Sequence, residues 1–249
     1  MIIFSNFFID GIGEVSGLFS LQHLFYLIIA ITLIISTLLI TKKQSNETIL
    51  KYIKIISIVV LLLEILKIIW NLTLRLDVTY EDYVPLYLCS FFIYFSLMFS
   101  FTKKDSKINY ISKLFLFYTG FAGGVAFILF PTTALLVFPF LHVLSFHSLI
   151  YHVLMVIVSI WMLRFLKLDF KDFKYFAGVL LSIEVVLIVV NLILGSNFMM
   201  LNKPFEIIFL EVIYELVPVI FPLIMALGQV LLTFFVPYYI IKLINKINE

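Results

Sequence analysis

Residues Leu144–Val153 read LSFHSLIYHV, and they place His147, Ser148, Tyr151 and His152 at the mouth of a run that is otherwise built for lipid. A side chain that can ionise or hydrogen-bond is tolerated in hydrocarbon only where it faces other protein or water. These four residues therefore predict a cavity inside a helix bundle, and the remaining chain can be searched for what converges on it.

Composition agrees with a bundle in a membrane. Of 249 residues, 63% are hydrophobic and 13% charged, and the mean hydropathy is +1.18, well outside the range of a soluble domain. Apolar runs of about 20 residues, the length needed to cross a bilayer, occur at Leu21–Ile40, Ile53–Leu74, Val84–Phe101, Tyr110–Phe130, Phe146–Leu166, Phe176–Leu194 and Pro218–Ile241. The expected fold is all-α: one polytopic domain, 1–249, of about seven transmembrane helices.

Charge placement orients it. Lys42, Lys43, Lys51 and Lys54 follow the first run, Lys103, Lys104, Lys107 and Lys113 the third, Arg164, Lys167, Lys171 and Lys174 the fifth, and Lys242 and Lys246 the last. The alternate connections hold only Arg75 and Lys203, beside Asp77, Glu81, Asp82 and Glu206. By the positive-inside rule the amino terminus lies outside and the carboxyl terminus in the cytoplasm. The Ile-, Phe-, Lys- and Asn-rich usage suggests a low-GC bacterium, hence a bacterial cytoplasmic membrane. Three outer segments are expected to rest at the surface: 1–20, through Phe4, Phe7, Phe8 and Ile12; 131–145, PTTALLVFPFLHVLS, too short and proline-rich to span and therefore re-entrant or superficial; and 204–217, an interfacial helix carrying Glu206, Glu211 and Glu215.

Within the apolar runs, Glu64, Lys67 and Asn71 are spaced i, i+3, i+7 and share a helix face, as do Glu184 and Asn191. A charge at mid-membrane costs roughly 2.5–3.5 kcal/mol on insertion scales, so a Glu64–Lys67–Glu184 cluster between helices is expected. At 1.5 Å per residue, Asn71 and Asn191 lie roughly 5 Å and Glu64 and Glu184 roughly 15 Å below the outer helix ends, with Cys89 and His147 near the shallower level and His23 able to join them. Cys89, the single cysteine, is expected about one and a half turns into a helix begun by Pro85. A lone buried thiol is usually inert packing, unless an imidazole faces it and takes its proton; His147 is the preferred base on depth, with His152 an orienting partner. Ser148 and His152, four apart, form a weaker nucleophile and base pair. His142, His147 and His152 recur every five residues and spiral around a helix, so no metal site is expected, nor a cofactor or a nucleic-acid partner. Gly120, Gly123 and Gly124 permit close approach to a neighbouring helix or a headgroup.

Four stretches together, PLYLC at Pro85–Cys89, GG followed by FP within Gly123–Pro131, FHSLIYH at Phe146–His152 and GSNFMML at Gly195–Leu201, resemble the YwaF-like bacterial integral membrane proteins. That family is distantly similar to the transmembrane protein 164 acyltransferase, which moves fatty acyl chains between phospholipids. The resemblance implies a cysteine–histidine acyl-transfer site at Cys89 and His147, with a membrane lipid as substrate; Tyr87 stands where the bacterial pattern usually has histidine. Two functions follow as expectations. One is a lipid acyltransferase or hydrolase in which Asn71, Asn191 or Asn197 stabilise the oxyanion. The other is a transporter or binder using Glu64, Lys67 and Glu184 as a proton relay or polar site.

Overall fold

The computed structural model describes Phe7 and residues 15–75, 78–204 and 208–247. Phe4, Phe8, Ile12, Asp77 and Glu206 lie outside the described residues. Helices follow one another as α1 (Leu21–Thr41), α2 (Asn46–Leu74), the short α3 (Tyr80–Tyr83), α4 (Phe91–Phe101), α5 (Lys107–Leu129), the short α6 (Thr132–Leu135), α7 (Val143–Met162), α8 (Phe173–Leu194), α9 (Ile208–Leu216) and α10 (Phe221–Ile247). Serines at 20, 45 and 106 open α1, α2 and α5, each accepting a backbone N–H of the first turn, which is the N-cap chemistry short hydroxyl side chains favour.

Among the described residues, five helical stretches are long and apolar enough to cross a membrane: Leu21–Thr41, Lys107–Leu129, Val143–Met162, Phe170–Leu194 and Phe221–Ile247. The chain is a multi-pass membrane protein. Helix α2 has ample length at 29 residues but carries Glu64 and Lys67 in its apolar part, and α4, with 11 residues, is shorter than a bilayer-crossing helix.

The expected third helix, Val84–Phe101, is corrected by the structure: Val84–Ser90 is unwound and the helix begins only at Phe91. The cause lies in Pro85, which biases Val84 toward extended backbone (φ −100°, ψ 111°) and has no N–H to give a helical ladder. Cys89 therefore sits in a turn before the helix, not inside it.

Helix α5 is the axis of the bundle. Its residues Leu114–Gly120 are all buried, so it is covered on every side, as an all-round apolar helix must be. It packs on α1, α4, α7, α8 and α10, most extensively on α7. Glycine makes that last contact possible. A Cβ on Gly124 would lie 2.7 Å from Val156 Cγ2 and 3.1 Å from the His152 carbonyl oxygen, and one on Gly120 would lie 3.2 Å from the Met155 carbonyl oxygen. At the lysine-rich end Arg164 donates to the carbonyls of Thr41, Lys42 and Gln44, and Trp161 Nε1 donates to Thr41 Oγ1 at 3.1 Å, tying α7 to the α1–α2 turn. Residues 131–142 fold against α7 with Ala134, Leu135 and Phe138 buried, and α9 turns Glu211 and Glu215 outward.

The packing yields a matched pair of substitutions. Gly124→Ala is expected to destabilise the protein by about 1–3 kcal/mol through overpacking, whereas Gly178→Ala in α8, with nothing within 4 Å of its Cβ position, should be neutral or stabilising by up to ~1 kcal/mol. Thermal unfolding of the two purified variants in the same detergent measures the difference; equal melting would refute the close-contact account.

Candidate functional site

Where α5 and α7 diverge beyond the glycine contact, a cavity of about 320 Å³ opens between α2, the unwound 84–90 segment, α5, α7 and the 131–142 segment. Glu64, Lys67, Asn71, Cys89, His147, Ser148, Tyr151 and His152 all line it. It also receives Arg75, Glu81, Asp82, Tyr87, Phe127, Thr132, Thr133 and Met200, which the sequence reading did not assign to a site.

Each wall has a physical reason. The unwound segment is half-buried and leaves carbonyls without helical partners, which then need other donors. Tyr94 Oη donates to the Pro85 carbonyl at 3.2 Å, and Tyr151 Oη donates to the Cys89 carbonyl at 2.9 Å. The Cys89 thiol points at the surface of α5, where a Cβ on Gly123 would stand 3.2 Å from Sγ. Gly123 thus serves a different partner from Gly120 and Gly124: it is the niche for the thiol.

His152 is held on two sides. Its ring stacks on Phe127 at 3.7 Å between centroids and 7° between planes, and Nδ1 contacts the Ser148 carbonyl at 2.7 Å. Because a carbonyl only accepts, Nδ1 carries the hydrogen and Nε2 is left with its lone pair. His147 stacks on Tyr151 at 5.9 Å and lies beside the Leu63 backbone and Lys67 of α2. Nε2 of both imidazoles is buried without a hydrogen-bond partner among the described residues, and neither Nε2 is bonded to the thiol.

Charges in the cavity are paired locally. Lys67 Nζ meets Glu64 Oε1 at 2.6 Å, the lysine side chain 24% exposed. Arg75 pairs with Asp82, whose carboxylate also accepts the Thr79 N–H at 2.9 Å while its backbone carbonyl accepts from Asn71 Nδ2. The Thr79-x-x-Asp82 capping box at α3 was the sequence signal that could have placed Asp82 here.

Four expected participants are elsewhere. Glu184 is fully buried on α8, with neither oxygen hydrogen-bonded among the described residues; α8 packs on α5 and α10, so the three-membered Glu64–Lys67–Glu184 cluster does not form. Asn191 and Asn197 hold the 195–203 loop. Asn191 Oδ1 accepts from Ser196 Oγ and the Phe198 N–H, and its Nδ2 donates to the Phe198 carbonyl; Asn197 Oδ1 accepts the N–H groups of Asn202 and Lys203. Those amides are spoken for, and neither side chain lines the cavity. The loop instead contributes Met200, reached through left-handed backbone at Met199 and Met200 (φ 57° and 55°) and pinned by Gln229 Nε2 to the Met199 carbonyl at 2.7 Å. His23 turns back on its own helix start, where Nδ1 accepts the Phe19 N–H at 3.0 Å, and does not line the cavity.

Against this geometry stands a comparison that covers nearly the whole chain. The model of the TMEM164 family matches residues 18–243. The chain belongs to the TMEM164 family. Its match runs from the turn before α1 to the last turns of α10, so every wall of the cavity falls inside the family region. No curated protein and no solved structure matches the chain.

Tyr151→Phe isolates one wall of this TMEM164-family site. Removing the hydroxyl leaves the Cys89 carbonyl without that donor, and stability is expected to fall by about 1–3 kcal/mol with faster labelling of Cys89 by a membrane-permeant maleimide. Unchanged stability and labelling would show that the unwound segment does not depend on Tyr151.

Proposed function

We propose that this TMEM164-family protein is a membrane-embedded acyltransferase that moves a fatty acyl chain from a glycerolipid ester through a thioester on Cys89. The observation that carries the reading is the convergence, in one cavity, of the single thiol and two imidazoles whose Nε2 atoms are buried without a hydrogen-bond partner among the described residues. Cys89 Sγ attacks the ester carbonyl carbon as His147 Nε2 takes the thiol proton. The tetrahedral intermediate then expels the lysolipid alkoxide, which receives that proton from His147, and the acyl group remains on sulfur. A second lysolipid hydroxyl, deprotonated by the same imidazole, attacks the thioester and restores the thiol. If water takes its place, the outcome is hydrolysis.

His147 is the base in this scheme because it is the half-buried one of the two cavity histidines, His152 being buried. His152, clamped by Phe127 and the Ser148 carbonyl, orients the site. With Asn191 and Asn197 committed to their loop, Lys67 and the second amide hydrogen of Asn71 are the remaining oxyanion donors. Thiol and imidazole come into hydrogen-bonding contact when substrate closes the cavity, as catalytic bonds that are long in an empty site commonly do.

The binder or transporter reading keeps one support, the Glu64–Lys67 pair on the cavity wall, and loses its third charge, since Glu184 sits in a different interface. Activity separates the two. Cys89→Ala should abolish transfer of a fluorescent acyl chain between phospholipid and lysolipid in vesicles, and His147→Gln should lower it about 10²–10⁴-fold. Peptide mass spectrometry of the wild type should find a hydroxylamine-sensitive acyl adduct on Cys89. Full transfer by Cys89→Ala overturns the mechanism; loss of a solute flux on Glu64→Gln with Cys89→Ala silent would establish the other.

The same reading takes α2, and α4 with its unwound lead, as two further crossings. That gives seven, with the amino terminus outside, the carboxyl terminus in the cytoplasm and the cavity toward the extracytoplasmic side. In a Cys89→Ala background, Thr79→Cys and Lys203→Cys should react with an impermeant maleimide on intact cells while Gln44→Cys and Asp105→Cys stay protected. The reverse pattern would invert the topology.

A further inference from the structure

A second, larger crevice of about 940 Å³ opens at the other end of α7 from the polar cavity. The cavity ends near His152 and the crevice begins at Leu163, about 16 Å farther along at 1.5 Å per residue. One wall is the 163–168 connection that leaves α7. The other is the end of α10, where Tyr238, Ile241, Lys242, Asn245 and Lys246 line the crevice. Their spacing, i, i+3, i+4, i+7, i+8, is one continuous helix face.

That face is graded. Tyr238 and Ile241, opposite Phe165 and Leu166, make an apolar foot, and Lys242, Asn245 and Lys246 form a polar head with Lys167 across from them. Arg164, Lys167, Lys242 and Lys246 bring four cations to the lining, and no carboxylate lines it among the described residues. Arg164 is immobilised by the three carbonyls of the α1–α2 turn, so its charge is fixed at the crevice. Lys167, Lys242 and Lys246 are exposed and have no ion pair among the described residues; Lys242 Nζ lies 5.9 Å from the centre of the Tyr238 ring. In a membrane protein, an unpaired basic head above an apolar slot between helices is the complement of an anionic lipid.

We propose that this crevice binds one anionic glycerophospholipid, its phosphodiester among Lys167, Lys242 and Lys246 and an acyl chain along Phe165 and Ile241. A zwitterionic headgroup fits less well, because its amine would meet cations and, among the described residues, no facing carboxylate. The proposal stands apart from the chemistry at Cys89 and needs only that the bundle sits in a bilayer.

The test uses the full chain in nanodiscs of phosphatidylcholine containing about one-tenth phosphatidylglycerol, released into the gas phase for native mass spectrometry. One retained phosphatidylglycerol per chain is expected. At roughly fivefold per lysine, K167Q/K242Q/K246Q should weaken retention by about 100-fold, whereas K103Q/K104Q/K107Q, with the same change in net charge, should leave it intact. The three crevice lysines are exposed, so the triple variant should melt like the wild type; if it does not, K242Q alone should still show the fivefold loss. Undiminished retention by the crevice variants, an equal loss in the control triple, or equal retention of phosphatidylcholine overturns the proposal. So does displacement by soluble glycerol 1-phosphate at matched concentration, which would make the site one for free phosphate and not for a lipid.

Discussion

The demand that no buried backbone amide or carbonyl go unpaired governs the site of this molecule. A continuous helix from Pro85 onward would meet that demand without help. The proline instead leaves Val84–Ser90 unwound, and two tyrosine hydroxyls, one from α4 and one from α7, take up the orphan carbonyls of Pro85 and Cys89. Irregular backbone at that place brings Sγ of Cys89 into the niche of Gly123. Tyr151 couples the segment to the helix bearing both cavity histidines. The position of the Cys89 thiol is thus inseparable from a hydrogen bond to its own carbonyl.

The second determinant is the way α5 and α7 touch. Gly120 and Gly124 let the helices close on Met155 and Val156. One turn farther the small residues give way to Phe127, which lies flat on His152. The tight contact forms a floor and the divergence above it leaves space. Pro131 and Pro139 bracket the segment that returns over that space, contributing Thr132, Thr133 and Phe138 to its lining. The cavity is thus bounded by the close helix contact on one side and by the returning segment on another.

Much of this was legible from residue order, for reasons that also explain the failures. Hydropathy marks apolar runs because every lipid-facing position must be apolar. The i, i+3, i+7 spacing of Glu64, Lys67 and Asn71 survives because helical periodicity is local. Periodicity names a face, however, and not the neighbour that the face meets, and so Glu184 was grouped with a pair it does not touch. Asn191 and Asn197 carry the chemistry of oxyanion donors. They are consumed by the loop that starts at Gly195, whose left-handed φ of 65° ends α8 and frees N–H groups that need acceptors. Pro85 was ambiguous in itself, since proline both opens helices and breaks them; the tyrosines that settle the matter are nine and sixty-six residues farther along the chain.

The two openings differ in how their charge is balanced, and that difference bears on what each can hold. In the polar cavity the cations Lys67 and Arg75 each have a carboxylate in contact, Glu64 and Asp82, and Glu81 accepts the Asn197 N–H at 2.7 Å. Desolvating a charge is costly, and a pair formed beforehand already bears that cost, so the cavity presents dipoles and imidazoles more than free charge. At the far end of α7 the lysines keep their charges unspent beside an apolar slot. Uncompensated cations at a membrane surface select by sign, whereas compensated ones select by shape and hydrogen bonding. The two openings therefore present different chemistry at opposite ends of the same helix, dipoles and imidazoles at one and lysines without ion pairs among the described residues at the other.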